Sequence, residues 1–216
     1  MAKQTFFVSG IDTDIGKTYA TAYIAKQLAQ AHPTQTVITQ KLIQTGNQDF
    51  SEDIQTHRQL MGTGLLAQDR SRLTMPAIFS YPASPHLAAE IDQKTIDFAH
   101  IQRCTQALQA QFDYLLIEGA GGLMVPLTRE LLTIDYVKQQ AWPVILVTNG
   151  RLGSLNHTLL SLAALKSYGI ELYALAYNGH FDVADERIAA DTQQFIRDRA
   201  EHMFPQTRWL EIPSLA

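Results

Sequence analysis

The sequence predicts an α/β fold in which helices flank both faces of a mostly parallel β-sheet. Short apolar runs of strand length alternate with longer segments of helical periodicity, an order typical of parallel sheets with crossover helices. Polar residues and glycines follow the apolar runs, and ligands of such sheets bind where the strands end. The predicted strands are Thr5–Ser9, Thr36–Gln40, Tyr114–Glu118, Val144–Thr148, Leu172–Tyr177 and Trp209–Ile212, and the predicted helices are Lys17–Ala31, Ser51–Met61, Phe98–Gln111, Leu155–Tyr168 and Ala184–Ala200.

The loop between the first predicted strand and the first predicted helix carries the clearest motif. It reads Gly10-Ile11-Asp12-Thr13-Asp14-Ile15-Gly16-Lys17-Thr18, and a glycine-bounded loop that ends in Gly-Lys-Thr before a helix is the phosphate-binding P-loop. Its backbone N–H groups face phosphate oxygens, with Lys17 along the terminal phosphates and the Thr18 hydroxyl on Mg²⁺. Five residues separate the two glycines, one more than usual, which indicates a subgroup of P-loop proteins. The predicted fold class is therefore P-loop NTPase-like.

Composition and charge exclude several classes of function. A length of 216 residues with 46% hydrophobic residues suits a single P-loop α/β domain over residues 1–216. The net charge of −4 and the lack of a basic block argue against a nucleic-acid partner. No run approaches the ~20 apolar residues of a membrane span. Cys104 is the only cysteine, so no disulfide can form within the chain. Without a signal-peptide pattern, we expect a cytoplasmic location.

Charged residues that follow predicted strands are the next candidates. Glu118 ends an apolar strand and precedes Gly119-Ala120-Gly121-Gly122, which favours a second magnesium ligand beside a backbone that a ligand can approach closely. Lys41 follows the second predicted strand, where it either neutralises developing negative charge or is a solvated surface lysine. Asp53 either completes the magnesium site or stabilises a helix N-terminus, and Glu52 competes with it.

Three further segments have alternative interpretations. Ser84-Pro85-His86 reads as a proline-punctuated loop, in which His86 either lines a pocket or packs elsewhere. The run from Asn149 to His157 opens a helix, with Ser154 as a candidate cap. Asn178-Gly179 is either a turn or an asparagine placed to recognise the edge of a base. The histidines without a pattern that indicates a role are His32, His57, His100, His180 and His202.

Taken together, these motifs resemble the dethiobiotin synthetase family of biotin biosynthesis. The resemblance rests on GIDTDIGKT at 10–18, Lys41 with Thr45-Gly46, SPH at 84–86, EGAGG at 118–122, GRLGSLNH at 150–157, YNG at 177–179 and EIP at 211–213. These segments run from the first predicted strand to the last. The chain departs from the family pattern at Ile11, where Thr is frequent, at Leu42, where Pro usually follows the lysine, and at Gly179, where an acidic residue is common.

The resemblance implies a reaction of ATP, CO₂ and 7,8-diaminopelargonic acid (7,8-diaminononanoate), with Mg²⁺ as cofactor. One amine forms a carbamate with CO₂, and the carbamate oxygen attacks the γ-phosphorus of ATP. The second amine then displaces phosphate from the carbamic–phosphoric anhydride and closes the ring of dethiobiotin. The resemblance also implies a homodimer whose substrate site lies by the subunit interface, with the loop Gly150–Asn156 as a candidate for that contact.

The same resemblance assigns functional positions residue by residue. The catalytic positions are Lys41 and Lys17, and the magnesium positions are Thr18, Asp53 and Glu118. The ATP-binding positions are Asp14, Ile15, Gly16, Lys17, Thr18, Tyr19, Asp53, Glu118, Gly119, Ala120, Gly121, Asn178, Gly179, Ile212, Pro213 and Ser214. The substrate-binding positions are Thr13, Lys41, Thr45, Ser84, Gly150, Leu152 and Asn156.

Three alternative functions share the P-loop. An amide ligase of the cobyrinic-acid type generally carries a glutaminase unit with a catalytic cysteine, whereas Cys104 lies in a helical core pattern. A partner-dependent switch ATPase typically has an additional lysine early in the loop, where this chain has Ile11 and Asp12. A small-molecule kinase would release a stable phosphorylated product and would turn over without CO₂.

Overall fold

Strands and helices alternate along residues 3–182 and 185–214, the parts of the chain that the computed structural model describes. The strands are β1 (Gln4–Gly10), β2 (Val37–Lys41), β3 (Gln44–Thr45), β4 (Ile78–Phe79), β5 (Tyr114–Gly122), β6 (Val144–Asn149), β7 (Leu172–Asn178) and β8 (Arg208–Ile212). The helices are α1 (Lys17–Ala31), α2 (Glu52–Met61), α3 (Ala67–Arg70), α4 (Pro85–Ile91), α5 (Phe98–Gln111), α6 (Thr133–Gln140), α7 (Ser154–Tyr168) and α8 (Glu186–Met203). Within these ranges no helix combines the length and apolar character that crossing a bilayer requires.

Six strands form one parallel sheet in the order β2-β5-β1-β6-β7-β8. The short strands β3 and β4 pair separately. Because the strands of the large sheet run in the same direction, their carboxyl ends meet at one edge, which is where α/β proteins bind ligands. The residues that end β1, β2, β6 and β7 at this edge are Gly10, Lys41, Asn149 and Asn178.

The two faces of the sheet bury different helices. Phe6 and Val8 of β1 pack in a core that includes Ile24 of α1. Phe7, between them in sequence, packs in the other core with residues of α4 to α8 such as Leu108. Successive side chains of a strand point to opposite faces, and a sheet covered on both faces buries both sets. The predicted α/β class with helices on both faces is therefore confirmed.

The predicted strands and helices are all present, with ends that differ by up to four residues. The largest difference is in β5, which continues through the glycines to Gly122 because Gly122 still pairs with Gly10. The helix predicted to begin at Ala184 is α8, which begins at Glu186; Ala184 itself lies outside the described residues. The sequence did not predict α3, α4 or α6, or the β3–β4 pair.

Two local predictions about helix starts were wrong. Ser84-Pro85-His86 is the beginning of α4 rather than a loop, with Pro85 at the first helical position, where its missing N–H costs nothing. Ser154 does not cap α7 but is its first residue, after Gly153. Its hydroxyl instead donates a hydrogen bond to the side-chain oxygen of Asn149.

Candidate active site

The P-loop connects β1 to α1 through a tightly folded backbone. Gly16 has φ of +81° and Asp14 has φ of +55°, a left-handed region that suits glycine and that aspartate tolerates. A Cβ atom added at Gly10 would lie 2.8 Å from the Ile15 side chain and 2.9 Å from that of Lys17. Gly16 is also the N-cap of α1 and offers no side-chain acceptor to the first turn. The N–H groups of that turn are therefore suited to an anion.

Four polar side chains converge where the P-loop enters α1. The Thr18 hydroxyl lies 3.0 Å from Asp53 Oδ1 and 3.1 Å from Glu118 Oε1. The Lys41 ammonium lies 2.5 Å from Asp53 Oδ2 and 2.8 Å from Glu118 Oε1. The sheet register explains part of this convergence, because Lys41 of β2 is the direct partner of Glu118 in β5. The structure thus brings Asp53 to the cluster, whereas Glu52 is exposed.

Burial and mutual charge set the ionisation of this cluster. Burial alone would lower the pKa of Lys41, but the carboxylates of Glu118 and Asp53 raise it above its ordinary value. Burial would raise the pKa of Glu118, but the Lys41 charge and the hydrogen bond from His57 hold it far below the usual range. Lys41 and Glu118 are therefore both charged and form an ion pair rather than a hydrogen bond between neutral groups.

Lys17 is a second buried cation of the site. Its ammonium donates a hydrogen bond of 2.8 Å to the carbonyl oxygen of Asp12. Burial, reinforced by the positive charge of Lys41, lowers the pKa of Lys17 to about 8. The positive charges of Lys17 and Lys41 repel each other, and the carboxylates of Asp53 and Glu118 offset this repulsion. An additional anion beside Lys17 would stabilise its charged form.

A cavity of about 650 Å³ opens beside this cluster. Its size is in the range of small-molecule binding sites. The positions assigned by resemblance that line it are Thr13, Asp14, Gly16, Lys17, Thr18, Lys41, Thr45, Asp53, Ser84, Glu118, Ala120 and Gly121. The lining residues that had not been assigned are Gln44, Pro82, Ala83, Pro85 and Val125. The sheet edge therefore assembles most of the predicted site in one place.

A second cavity of about 330 Å³ lies at the ends of β7 and β8. Four assigned positions line it, namely Gly179, Ile212, Pro213 and Ser214, together with Tyr23, Tyr177, Asp182, Gln193 and Glu211. Asn178 is not among the lining residues. Its side-chain amide donates to the Ile15 carbonyl at 3.0 Å, and its side-chain oxygen accepts from the His180 N–H at 3.2 Å. Asn178 thus ties the end of β7 to the P-loop.

The other assigned positions lie outside both cavities. Gly119 contributes its carbonyl oxygen to the Lys41 ammonium at 3.2 Å, and Ile15 is buried under the P-loop. The ring of Tyr19 lies 6.3 Å from that of Tyr23, which borders the second cavity. The positions Gly150, Leu152 and Asn156 line neither cavity, and Leu152 is 85% exposed.

Reasoning from the sequence missed His57, which is fully buried and contacts Glu118. A signal was present, because His57 follows Asp53 by one helical turn and residues four apart share a helix face. The prediction for Cys104 is confirmed, since its side chain is buried on α5. Burial raises the pKa of the Cys104 thiol, although the positive charge of the nearby Arg103 acts in the opposite direction.

The amino-acid sequence is similar to a family model and to the sequences of characterised families of proteins. Residues 4–215 match a family model described as an AAA domain. The chain is 49% identical over 207 residues to the ATP-dependent dethiobiotin synthetase BioD 2 of Pasteurella multocida, covering 96% of this chain and 95% of that protein. It is 50% identical over 196 residues to the ATP-dependent dethiobiotin synthetase BioD of Chlorobaculum tepidum, covering 91% and 81% respectively.

A solved structure gives an independent comparison of the fold. The crystal structure of a ParA family ATPase from Chlorobium tepidum aligns with a TM-score of 0.55 at 15% sequence identity. The alignment covers 99% of this chain and 86% of that one. At this identity the likeness supports the arrangement of strands and helices and nothing about the reaction.

Proposed function

This chain belongs to the ATP-dependent dethiobiotin synthetase family, and from that premise we propose how its own residues perform ring closure. The chain is an ATP-dependent ligase of biotin biosynthesis. The observation that carries the proposal is the convergence of Thr18, Lys41, Asp53 and Glu118 on the P-loop cavity. Phosphoryl transfer needs charge compensation and positioning more than covalent help from the protein, and this cluster supplies both.

The proposed reaction has three steps. One amine of 7,8-diaminopelargonic acid adds to CO₂ and loses a proton, which gives a carbamate. A carbamate oxygen attacks the γ-phosphorus of ATP, and ADP leaves with the electrons of the broken P–O bond. The second amine attacks the carbonyl carbon of the anhydride, phosphate leaves, and the proton of that amine is released as the ring closes.

Two lysines would compensate the charge that moves during these steps. Lys17 lies at the start of α1, where the P-loop N–H groups suit the phosphates. Lys41 remains charged in its buried position because two carboxylates raise its pKa. Its ammonium therefore suits the carbamate and the transferring phosphoryl group, both of which are anionic. Thr13, Thr45 and Ser84 line the same cavity as Lys41 and are proposed to contact the diamine.

The oxygen donors of the cluster suit Mg²⁺. The Thr18 hydroxyl lies 3.0 Å from a carboxylate oxygen of Asp53 and 3.1 Å from one of Glu118. These three groups are hard oxygen donors, which Mg²⁺ prefers. In the described ranges no group of three His, Cys, Asp or Glu residues forms a metal site by itself. That accords with Mg²⁺, which is bound by one or two carboxylates together with substrate phosphates. When bound, the ion would neutralise charge on those phosphates.

The second cavity is proposed to hold the nucleotide base. Gly179, Ile212, Pro213 and Ser214 line it, and both cavities lie at the carboxyl edge of the sheet. Tyr177 supplies an aromatic wall, and its hydroxyl donates a 2.6 Å hydrogen bond to Asp182. Asn178 adjoins this cavity and supports the P-loop at the same time, so it would couple the base site to the phosphate site.

We propose further that residues 1–216 act as one P-loop domain in a cytoplasmic homodimer. The loop Gly150–Asn156 would form part of the interface. Leu152 in this loop is 85% exposed, and Leu160 on α7 is 62% exposed. Exposed apolar side chains of this kind favour association with another protein surface. The interface location would also explain why Gly150, Leu152 and Asn156 line neither of the two cavities described above.

The decisive experiment measures phosphate release from MgATP with 7,8-diaminopelargonic acid, first with bicarbonate and then after its rigorous removal. We expect release to need both the diamine and CO₂, with dethiobiotin formed in equal amount. Phosphate release that depends on neither the diamine nor CO₂ would instead indicate a switch ATPase. A stable phosphorylated product formed without CO₂ would indicate a small-molecule kinase.

A further inference from the structure

A buried histidine contacts the far side of the Glu118 carboxylate. His57 lies on α2 and is 0% exposed. Its Nε2 atom lies 2.8 Å from Oε2 of Glu118, and its Nδ1 atom lies 2.9 Å from the hydroxyl of Thr39. The other carboxylate oxygen, Oε1, accepts from Thr18 and Lys41. The two oxygens of Glu118 therefore have separate sets of partners.

The hydrogen bonds that connect Arg58, Thr39 and His57 have a single order of donors and acceptors. Arg58, which can only donate, donates from Nη1 to the Thr39 hydroxyl oxygen at 2.8 Å. A double hydrogen bond to Asp69, with both distances 2.8 Å, fixes the same guanidinium in place. Thr39 accepts from Arg58 and has one proton of its own, which then points to Nδ1 of His57. Nδ1 is thus an acceptor, and the ring proton is on Nε2, facing Glu118.

The opposite arrangement leaves a group unpaired. If Nδ1 carried a proton, Thr39 would have to accept from both His57 and Arg58. The Thr39 hydroxyl proton would then lack the acceptor that Nδ1 provides, at a residue that is 0% exposed. A buried donor without a partner costs about 1–3 kcal/mol. Counting donors and acceptors therefore selects the Nε2–H form of the ring.

We propose that Thr39 and His57 are positioning residues that orient the Glu118 carboxylate for the metal site. The Nε2–H group holds Oε2, so that Oε1 is presented to Thr18, Lys41 and the cation. This inference rests on the proposed function, in which Glu118 helps to hold Mg²⁺. Hydrogen-bond partners of a ligating carboxylate fix its orientation, and their loss typically costs about 10–100-fold in metal affinity or activity.

The position of the ring proton can be measured in the unmodified protein. Long-range proton–nitrogen NMR correlation on protein labelled with ¹⁵N-histidine distinguishes the two neutral ring forms and the doubly protonated form. His57→Gln provides the assignment, because its spectrum lacks the His57 signals. We expect the Nε2–H form. Finding a proton on Nδ1 would overturn the proposed direction of the hydrogen bonds from Arg58 through Thr39 to His57, and with it the role of Thr39.

Two substitutions separate the contact with Glu118 from the rest of the histidine. His57→Gln extends its amide toward the place of Nε2 and retains a donor to Glu118, whereas His57→Asn is shorter and reaches only toward Thr39. Mn²⁺ binding in the presence of a non-hydrolysable ATP analogue, followed by electron paramagnetic resonance, reports the metal site without turnover. We expect His57→Asn to weaken Mn²⁺ binding about 10–100-fold and His57→Gln to restore most of it.

Controls make each outcome decisive. His100→Asn changes an exposed histidine and should leave Mn²⁺ binding unchanged. If His57→Asn fails to fold, as judged by its thermal unfolding, Thr39→Val and Thr39→Ser replace the pair, since only serine keeps the hydroxyl. Equal losses in the conservative and non-conservative variants, or no loss in either, would overturn the proposal.

Glu118→Gln distinguishes failure of this inference from failure of the proposed metal site. Weak Mn²⁺ binding by Glu118→Gln with unchanged binding by His57→Asn rejects the positioning role but keeps Glu118 at the metal. Unchanged binding by Glu118→Gln rejects the metal role of Glu118 itself, and the positioning role falls with it.

Discussion

Lys41 and Glu118 are direct partners on adjacent parallel strands, and their side chains form an ion pair of 2.8 Å. Asp53 contacts the same ammonium at 2.5 Å. The Lys41 ammonium therefore lies between the two carboxylates that we assign to the metal site. A divalent cation that binds the same oxygens would compete with this ammonium, so the proposed metal site and Lys41 are coupled through shared carboxylates.

Replacing Lys41 by alanine should lower turnover by about 10²–10³-fold, because one preorganised charge is lost from the site. The same change leaves Asp53 and Glu118 without their cation, so Mn²⁺ should bind more tightly in the absence of nucleotide. Steady-state phosphate release and Mn²⁺ titration measure the two effects. Lys94→Ala, at an exposed lysine, is the control, and normal turnover of Lys41→Ala would remove this residue from the reaction.

Replacing Lys17 by alanine should also lower turnover by about 10²–10³-fold with the fold intact. The reason differs from that for Lys41, since Lys17 lies at the start of α1, where we propose that the phosphates bind. Turnover of dethiobiotin formation and the thermal unfolding midpoint should be measured together. Lys26→Ala, an exposed residue on the same helix, should behave as wild type. A Lys17→Ala enzyme with near-normal activity would contradict the P-loop assignment.

The buried ion pair between Arg58 and Asp69 should contribute to the free energy of unfolding, and this contribution should be lost at acid pH. Burial opposes the charged form of Asp69, but hydrogen bonds from Arg58, Leu66 and Thr74 hold its pKa below the ordinary 3.8. A carboxyl with a lowered pKa stabilises the fold above its unfolded-state pKa, and this contribution is lost as the pH falls below about 4. Asp69→Asn should cost about 3–5 kcal/mol near neutral pH, since Arg58 loses its counter-charge.

Urea unfolding of wild type and Asp69→Asn from pH 7 down to pH 3 tests this prediction. The difference in the free energy of unfolding should shrink at the acid end, because protonation removes the same charge in the wild type. Glu90→Gln breaks an exposed pair with Arg129 and should cost much less, since water screens exposed pairs. A cost for Asp69→Asn as small as that for Glu90→Gln would refute the argument.

Replacing Cys104 by serine should leave turnover per folded molecule essentially unchanged. The thiol is buried, and burial raises its pKa, which disfavours the thiolate that a nucleophile requires. Dethiobiotin formation by Cys104→Ser and the rate of thiol modification in the folded wild type check both parts. Ala107→Ser, on the same helix, controls for the added hydroxyl. A large fall in turnover would revive a thiol mechanism.

Replacing Leu152 by glutamate should weaken the proposed homodimer. Leu152 is 85% exposed in one chain, and a charge buried at an interface without a partner is costly. Light scattering after size-exclusion chromatography gives the mass of each variant over a range of concentrations. Leu65→Glu, at another exposed leucine, should not change the mass. A wild type that is monomeric throughout would reject the dimer itself.

Local patterns made the central part of this site predictable. The P-loop needs glycine at fixed positions and lies between a strand and a helix. The strand predicted before it and the helix predicted after it therefore support its identification in the sequence. Glu118 was predicted because it ends an apolar run. Lys41 was a candidate because it follows the second predicted strand, and the family resemblance assigned its role. In each case a sequence signal of a few residues specifies the position, and the sheet then brings the positions together.

The contacts that could not be predicted depend on packing between distant segments. The spacing of His57 four residues after Asp53 indicates a shared face of α2, but only the approach of α2 to β5 places the ring against Glu118. Asn178 was expected near a base, but its hydrogen bond to Ile15 follows from how β7 is placed relative to the P-loop. Pro85 was interpreted as a loop residue because proline is equally suited to loops and to the first position of a helix.

The central place of β1 in the sheet has a consequence for how the protein is synthesised. β1 precedes the other described strands along the chain, but its two neighbours are β5 and β6, which are translated later. The hydrogen bond that supports the P-loop at Ile15 comes from Asn178, 163 residues further along the chain. Pairing over such separations slows folding. A nascent chain therefore carries the P-loop sequence long before the strands and the hydrogen bond that hold this loop in place have been translated.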